Sequence, residues 1–186
     1  MEDNRADEDL MLAYRGGDTA AFAALFRRRK GRLYRYLLRQ CGDAALAGKL
    51  FEDIWLRLIR AHQRYRPQAR FLTYLHRLAH QVLMDHYRHR PAGVPRSYLQ
   101  EPETLLEPLP AEPQADVLAA SRQQLERLLQ LLVALPEAQR EVFLLREEAG
   151  LGLEEIARVI DARPETARNR LRQATRFLRQ GMRGGE

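Results

Sequence analysis

The side chains best suited to chemistry in this sequence are arginines near its C-terminal end. From Arg163 to Arg183 there are seven arginines and a single acid, Glu165. Guanidinium groups pair with phosphate oxygens and bidentately with guanine N7 and O6, and Asn or Gln side chains pair with adenine. The pattern therefore predicts duplex DNA as a ligand, bound through phosphates and through base edges in a groove.

Three short helical segments must position these arginines. Pro136 opens the first, residues 153–157 form the second, and the third is predicted from Pro164 to Gln180. This layout is typical of a helix-turn-helix, whose last helix enters the major groove. Since Ala167, Leu171, Ala174 and Leu178 must pack inward, a polar face is left for DNA. Its predicted members are Thr166, Arg168, Asn169, Arg172, Gln173 and Arg176. The alternative is a solvated basic helix that contacts phosphates alone.

A second set of basic residues is interleaved with aromatic ones. It comprises the loop 64–70 and a helix predicted from Phe71 to about Arg88. Aromatic side chains stack on unpaired bases while cations follow the strand backbone, so this set suits single-stranded nucleic acid. Its candidate residues are Arg64, Tyr65, Arg66, Arg70, Tyr74, Arg77, His80, Gln81 and Arg88. The alternative is that Phe71 and Tyr74 are core aromatics.

Charge and composition divide the chain into three parts. The 186 residues carry a formal charge of +6, with 18 Lys and Arg against 10 acids in 1–90, 1 against 5 in 91–116, and 12 against 10 in 117–186. The middle segment also holds six of the nine prolines and has no helical period. It is predicted to be a flexible linker between two modules. We therefore expect an all-α protein with two small helical domains, 1–90 and 117–186, joined by the linker 91–116.

Apolar residues recur at helical spacing through both predicted domains, and strand signals are nearly absent. In the first domain the helices are expected at Asp7–Arg15, from Asp18 or Thr19 to about Gly42, at Ala44–Tyr65 and at Phe71–Arg88. In the second domain, helix is expected to resume near Val117 and to continue to Leu135, ahead of the three segments already described.

Several classes of function have no support in the sequence. Cys41 is the only cysteine, so no intramolecular disulfide can form and a reducing compartment fits. We expect a cytoplasmic protein without membrane insertion, because no apolar run approaches the length of a span. The spacings of His76 with His80 and of His86 with His89 resemble metal ligands, but each pair supplies too few donors. We expect these histidines to face solvent or phosphate, and we expect no enzymatic chemistry and no cofactor.

Both domains carry residue runs that resemble one family. In the first domain they are Gly17-Asp18…Ala21-Phe22…Leu25-Phe26, Leu50…Glu52-Asp53-Ile54-Trp55-Leu56-Arg57 and Phe71…Tyr74-Leu75…Arg77-Leu78-Ala79-His80-Gln81…Asp85-His86-Tyr87-Arg88. In the second they are Leu135-Pro136…Arg140-Glu141-Val142-Phe143, Glu155-Ile156-Ala157 and Thr166…Arg170-Leu171. The chain resembles bacterial RNA polymerase sigma factors of the extracytoplasmic-function type, which consist of a promoter-melting region 2 and a −35-binding region 4.

The resemblance implies a role for each module. The helix at Pro164–Gln180 would read the −35 element, and Arg64–Arg88 would open and hold the −10 element. The helix at Ala47–Leu58 would bind core RNA polymerase, the linker would thread the polymerase, and an anti-sigma factor would be a further partner. The expected polymerase-binding residues are Leu50, Glu52, Asp53, Trp55 and Leu56. Trp55 is either an exposed anchor or a core residue, and Leu50 fits the core stripe.

The sequence departs from the family pattern at three places. Gly48-Lys49 stands where relatives usually have an acidic pair, and Glu52 stands where glutamine is usual, so the charge of the polymerase-docking face is altered. Gly152 replaces the usual serine cap. Two alternatives remain: a helix-turn-helix regulator that acts without polymerase, and a divergent sigma factor that mainly engages a partner protein.

Overall fold

Each helix that the apolar period of the sequence predicts is present, although one of them ends earlier than expected. The structure, a computed structural model, describes residues 3–89 and 115–184, with side chains from 123 onward in the second segment. Within those ranges there is no strand, which confirms the all-α prediction. The helices are α1 Asp7–Arg15, α2 Thr19–Cys41, α3 Ala44–Ala61, α4 Phe71–Arg88, α5 Ala115–Ala134, α6 Glu137–Glu147, α7 Leu153–Val159 and α8 Pro164–Arg183.

Carboxylate caps fix the starts of the helices in the first domain. Asp18 accepts a hydrogen bond from the Ala21 N–H at 3.0 Å, and Asp43 accepts one from the Leu46 N–H at 2.9 Å. Each bond satisfies an N–H that the helix itself leaves free. At the start of α4, the first N–H group, that of Phe71, donates to Glu8 of α1. A long-range contact therefore caps α4 and ties it to the N-terminal helix.

Helix α3 is shorter than the sequence predicts. It was expected to reach Tyr65 but ends at Ala61, and a 3₁₀ turn at His62–Arg64 follows. Arg15 Nη1 donates to the Tyr65 carbonyl oxygen at 2.9 Å, so α1 holds the chain where it leaves this turn. The basic loop 64–70 is thus anchored at its start by Arg15 and at its end by Glu8.

In the first domain, α1 packs on α2, α2 on α3 and α3 on α4. In the second domain, α5, α6 and α7 all pack against α8. The two groups also touch each other, because α7 lies against α4 and α6 against α2. Buried leucines dominate both cores, and the ion pairs of Asp7 with Arg28 and Arg29 fasten α1 to α2. The predicted linker, 91–116, lies outside the described residues except for its last two, which begin α5.

Candidate nucleic-acid interface

Helices α7 and α8 form a helix-turn-helix around the sharp turn at Ile160–Arg163. Asp161 adopts a left-handed backbone conformation with φ 51°, and the N–H of Ala162 donates to the Ala157 carbonyl oxygen at 2.9 Å. Aspartate tolerates this conformation better than most residues. Pro164 then occupies the first turn of α8, where its missing N–H costs little.

The predicted polar face of α8 points away from the protein. Ala167, Ala174 and Leu178 are buried, as expected, whereas Leu171 is only half-buried. The exposed side chains of the predicted set are Arg168, Asn169, Arg172, Gln173 and Arg176. Thr166 is half-buried, and the amide of Gln173 accepts a hydrogen bond from Gln139 at 3.0 Å. The structure therefore brings five of the six residues onto one open surface.

A glycine lets the far end of α8 pack closely on α5. A Cβ atom at Gly181 would lie 2.8 Å from Leu131 Cδ1 and closer still to Cδ2. Arg127 of α5 also donates to the Gly181 carbonyl oxygen, from Nε at 2.9 Å and from Nη2 at 2.7 Å. These contacts fix the C-terminal half of α8 against the rest of its domain.

The basic loop and α4 present a second row of cationic side chains. Those exposed to solvent are Arg64, Arg66, Arg70, Arg77 and Arg88, together with Gln81. Beneath them lies an aromatic cluster in which Tyr65 packs edge-on against Tyr74 at 5.1 Å between ring centroids. Phe71 is fully buried in this cluster, as the core alternative holds, and Tyr74 is half-buried. Burial raises the pKa of Tyr65 to about 12 and also raises that of Tyr74.

The histidines of α4 do not all face solvent or phosphate, so that expectation is wrong for His76. Its side chain is 2% exposed, hydrogen bonds through Nδ1 to the Leu72 carbonyl oxygen at 2.9 Å, and stacks edge-on against Tyr36. Burial lowers its pKa to about 4, so the ring is neutral at physiological pH. Within the described ranges, no group of three or more His, Cys, Asp or Glu side chains is placed to hold a metal ion.

The remaining polar face of α4 is partly covered by the second domain. Thr73 is 3% exposed and donates to Glu155 of α7 at 3.0 Å. His80 Nδ1 lies 2.7 Å from Glu141 Oε1 of α6, and Arg70 Nη1 lies 3.3 Å from Glu155 Oε1. The covering arises from contacts between distant segments, which helical periodicity does not encode.

Glu155 has two sets of partners. It accepts a hydrogen bond at 2.9 Å from the N–H of Gly152, the residue that precedes α7. Burial opposes its charge, but the Gly152 N–H, Thr73 and Arg70 outweigh that effect and lower the pKa of the carboxyl group. The same side chain thus stabilises its own helix and contacts the first domain.

On α3, the expected polymerase-binding residues divide into a buried and an exposed group. Trp55 and Leu50 are 4% and 6% exposed, so in this structure both belong to the core. Trp55 packs against a cluster of phenylalanines, with Phe26 nearest at 4.9 Å between ring centroids. Leu56 is 48% exposed, Glu52 is also exposed, and Asp53 pairs with Arg57 at 3.2 Å. The α3 side chains that a partner could contact are therefore Leu56 and the acids Glu52 and Asp53.

Sequence reasoning missed the acidic residues of the second domain that face the first. Glu141 is 2% exposed, and its carboxylate accepts a hydrogen bond from the Tyr36 hydroxyl at 3.3 Å. Glu148 pairs with Arg39 and lies 3.7 Å from Arg35 Nε. One signal was available: Glu141 precedes Leu144 and Leu145 by three and four residues, a spacing that places all three on the same face of α6.

None of the described helices is both long and apolar enough to cross a membrane.

Comparison with known proteins gives matches in both halves of the chain. Residues 25–91 match the family described as Sigma-70 region 2, and residues 125–178 match that described as Sigma-70, region 4. The chain is 31% identical to the RNA polymerase sigma factor CarQ of Myxococcus xanthus over 173 residues, which span 91% of this chain and 94% of CarQ. It is 28% identical to the ECF RNA polymerase sigma factor SigK of Mycobacterium tuberculosis over 174 residues, which span 91% of this chain and 90% of SigK.

Two solved structures share the fold. CnrH, solved in complex with the cytosolic domain of CnrY, superposes with a TM-score of 0.71 at 20% identity, covering 98% of this chain and 100% of CnrH. The sigma factor RpoE of Bartonella quintana, solved with the anti-sigma factor NepR, gives a TM-score of 0.70 at 15% identity, covering 89% and 98%.

Proposed function

The chain belongs to the extracytoplasmic-function RNA polymerase sigma factors of the sigma-70 family, and we propose that its two domains divide promoter reading between them. It is a sigma factor that binds core RNA polymerase and directs transcription from particular promoters. The observation that carries this conclusion is the order of the two matches, region 2 before region 4, in a chain aligned over 91% of its length with CarQ. A helix-turn-helix alone would fit many regulators.

In the proposed division, α8 reads the −35 duplex. Its exposed Arg168, Asn169, Arg172, Gln173 and Arg176 and the half-buried Thr166 are the candidate base and phosphate contacts. The close packing of α8 on α5 at Gly181 supports this role, because a rigid helix presents its side chains at fixed spacing.

The first domain is proposed to open and hold the −10 element. The candidates are Arg64, Arg66, Arg70, Tyr74, Arg77, His80, Gln81 and Arg88. Their cationic side chains would follow the strand backbone. Tyr74 is half-buried and packs against Tyr65 of the loop, and the exposed part of its side chain is the proposed contact for a base. The domain limits 1–90, 91–116 and 117–186 are proposed with this division.

Core RNA polymerase is proposed to bind α3 through Leu56, Glu52 and Asp53. Leu50 and Trp55 would shape that surface from within, since both are buried. An anti-sigma factor is a second proposed partner. We propose that the protein acts in the cytoplasm. It is proposed to have no catalytic activity of its own and to need no cofactor.

Reconstitution with purified core polymerase tests the proposal. The chain is expected to bind core enzyme and to bind DNA only weakly without it. When the chain and core enzyme are combined, transcription should start at a defined subset of genomic DNA fragments. Tight, selective duplex binding without polymerase would instead favour a regulator that acts alone. If core enzyme neither binds the chain nor initiates with it, the proposal fails, and a divergent protein that engages another partner remains.

A further inference from the structure

Both ends of the basic loop 64–70 are held by the N-terminal helix α1. At the start of the loop, Arg15 Nη1 donates to the Tyr65 carbonyl oxygen at 2.9 Å. At its end, the Phe71 N–H donates to the carboxylate of Glu8. Glu8 and Arg15 lie about two turns apart on the same face of α1, which corresponds to roughly 10 Å along the helix axis. Helix α1 therefore sets the distance between the two ends of the loop.

The start of the loop has two further contacts with the end of α1. The Tyr14 ring packs on the His62 ring in the preceding 3₁₀ turn, with 4.7 Å between ring centroids. Gln63 Nε2 donates to the Arg15 carbonyl oxygen at 3.4 Å. Tyr65, the residue whose carbonyl group Arg15 binds, has a side chain that is only 2% exposed. The chain therefore enters the loop at a fixed position.

The part of the loop between these contacts is short and open to solvent. The Gln68 N–H donates to the Arg66 carbonyl oxygen at 2.8 Å, which makes a three-residue turn around Pro67. Arg66, Pro67, Gln68 and Arg70 are all exposed. Because the exposed stretch is only a few residues long, its path depends on where α1 places its two ends.

One carbonyl group connects α1 directly to a proposed strand contact. The Tyr65 carbonyl oxygen accepts a hydrogen bond from Arg66 Nη1 at 3.2 Å in addition to the one from Arg15. A carbonyl oxygen has two lone pairs, so both bonds can form at once. Arg15 therefore shares its acceptor with Arg66, a member of the set proposed to bind the −10 element.

We propose that α1 positions the −10 loop and that Glu8 and Arg15 are its positioning residues. Neither belongs to the proposed DNA-binding set, and each acts through the loop backbone that it holds. An ordered loop loses less conformational entropy when a strand binds, and it presents its side chains at a fixed spacing. The inference rests on the proposed function and deepens it, because it names what determines the geometry of the −10 surface.

A purely structural role for these contacts predicts a different result. Contacts that only stabilise the first domain would, when lost, lower the folded fraction, and every activity of the chain would fall together. Loss of loop positioning would instead weaken capture of the −10 strand and change the sequence preferred there. The preference at −35 and the affinity for core polymerase would stay as they are.

The test uses holoenzyme assembled from core RNA polymerase and the full chain with one substitution at a time. Glu8→Ala removes the acceptor of the Phe71 N–H, whereas Glu8→Gln keeps an acceptor oxygen. The matched control, Asp9→Ala, removes an exposed carboxylate from the next position of α1. Since Glu8→Ala and Asp9→Ala have equal net charge, general electrostatic attraction to DNA cancels between them.

The DNA probes come from a duplex library of random sequence that the wild-type holoenzyme transcribes. Sequencing the DNA upstream of each transcript start gives the sequences preferred near −10 and near −35, and each variant is measured on the same library. A labelled single strand of about 15 nucleotides that carries the preferred −10 sequence then gives the affinity of each holoenzyme for the opened strand.

Glu8→Ala is expected to bind the single strand about three- to tenfold more weakly than Asp9→Ala, as for the loss of one hydrogen bond. Its preference near −10 should relax while its preference near −35 is unchanged, and Glu8→Gln should recover most of the affinity. Equal single-strand affinity in Glu8→Ala and Asp9→Ala would overturn the inference. So would an equal loss of preference at −10 and −35.

If Glu8→Ala fails to fold, the same comparison is made at the other end of the loop. Arg15→Ala removes the donor to the Tyr65 carbonyl oxygen. Arg32→Ala is its matched control, because Arg32 is an exposed cation of α2 outside every proposed binding set. The expected difference between these two variants has the same direction and size.

The wild-type holoenzyme separates this inference from the function on which it rests. If it selects promoters, and the variants select the same −10 sequence with the same affinity, the sigma-factor assignment stands and the positioning role of α1 is wrong. If the wild-type chain neither binds core enzyme nor selects a promoter, the proposed function fails, and the inference fails with it.

Discussion

Glu141 Oε1 lies 2.7 Å from His80 Nδ1, so a carboxylate of α6 contacts a histidine of α4 across the boundary between the two domains. The Tyr36 hydroxyl donates to the same oxygen at 3.3 Å. Burial and the nearby Glu141 raise the pKa of Tyr36 well above its usual value, so the tyrosine remains a donor at any physiological pH. One oxygen atom therefore collects contacts from two helices of the other domain.

The neutral, buried His76 makes stability fall in acid. Its pKa is about 4 in the folded chain against 6.5 as the ordinary value, so the unfolded chain binds more protons between these limits. The contribution of the neutral ring to the free energy of unfolding is fully present above about pH 6.5. It decreases by up to about 3 kcal/mol as the pH falls toward 4. Urea denaturation from pH 7 to 4 measures this change.

The variant His76→Leu isolates the effect from other groups that titrate in the same range. Its stability should vary less with pH than that of the wild type, whereas the exposed-histidine control His89→Gln should match the wild-type profile. If the stability of His76→Leu and of the wild type changed with pH in parallel, the loss of stability in acid could not be assigned to His76.

Gly48→Ala is expected to stabilise the first domain by about 1 kcal/mol. Gly48 lies inside α3, and a Cβ atom there would meet nothing within 4 Å. Alanine therefore restricts the unfolded chain without a steric cost in the folded one. The midpoint of urea unfolding should rise at constant slope. A lower midpoint would mean that the packing of α3 requires glycine at position 48, where this sequence departs from the family pattern.

Gly181→Ala should have the opposite effect on the second domain, with a loss of about 1–3 kcal/mol. The added methyl group would overlap Leu131, which must change rotamer against the neighbouring core. Thermal unfolding measures the loss. Combining Gly181→Ala with Leu131→Ala should cost less than the two changes summed, because the overlap is removed. Strict additivity would argue against close α5–α8 packing.

Leu56→Ala should weaken binding to core RNA polymerase without loss of fold. Leu56 is 48% exposed, and truncating one of the few residues that carry most of an interface's binding energy costs about 1 kcal/mol or more, about fivefold or greater in affinity. Phe177→Ala, the matched control, truncates a side chain 40% exposed on α8. Affinity for core enzyme measured in solution distinguishes the two. Equal affinities would remove Leu56 from the interface.

Asn169→Ala should alter which −35 sequence is preferred. An Asn–adenine pair discriminates by about 1–3 kcal/mol, so selection from a randomised duplex pool with holoenzyme should relax at one base pair. Arg179→Ala, at an exposed cation outside the predicted base-reading set, should weaken binding to all sequences and reduce the salt slope by about 1. An unchanged preference for Asn169→Ala would favour the phosphate-only alternative.

The helices and the outward face of α8 were predictable because each depends on local periodicity. Ala167, Ala174 and Leu178 recur at helical spacing, so their burial fixes the opposite face. Local patterns do not determine which helix surface meets another domain. His76 looked like a polar-face residue and is buried, and Trp55, for which both environments were open, lies in the core.

The contact between the two domains escaped prediction for the same reason. Tyr36 and Glu141 are 105 residues apart, and nothing in either helix alone indicates that they meet. The end of α3 was also misplaced, because its last turn continues as a 3₁₀ turn instead of an α-helix. Both turn types satisfy the same apolar spacing over so short a distance.

The helix caps show what domain separation would leave intact. Asp18 and Asp43 cap helices inside the first domain, Glu8 caps α4 from within that same domain, and Glu155 caps α7 through Gly152 inside the second. No helix start among these depends on the other domain. Loss of the contacts between the two domains would therefore leave these helix starts stabilised by groups of their own domain.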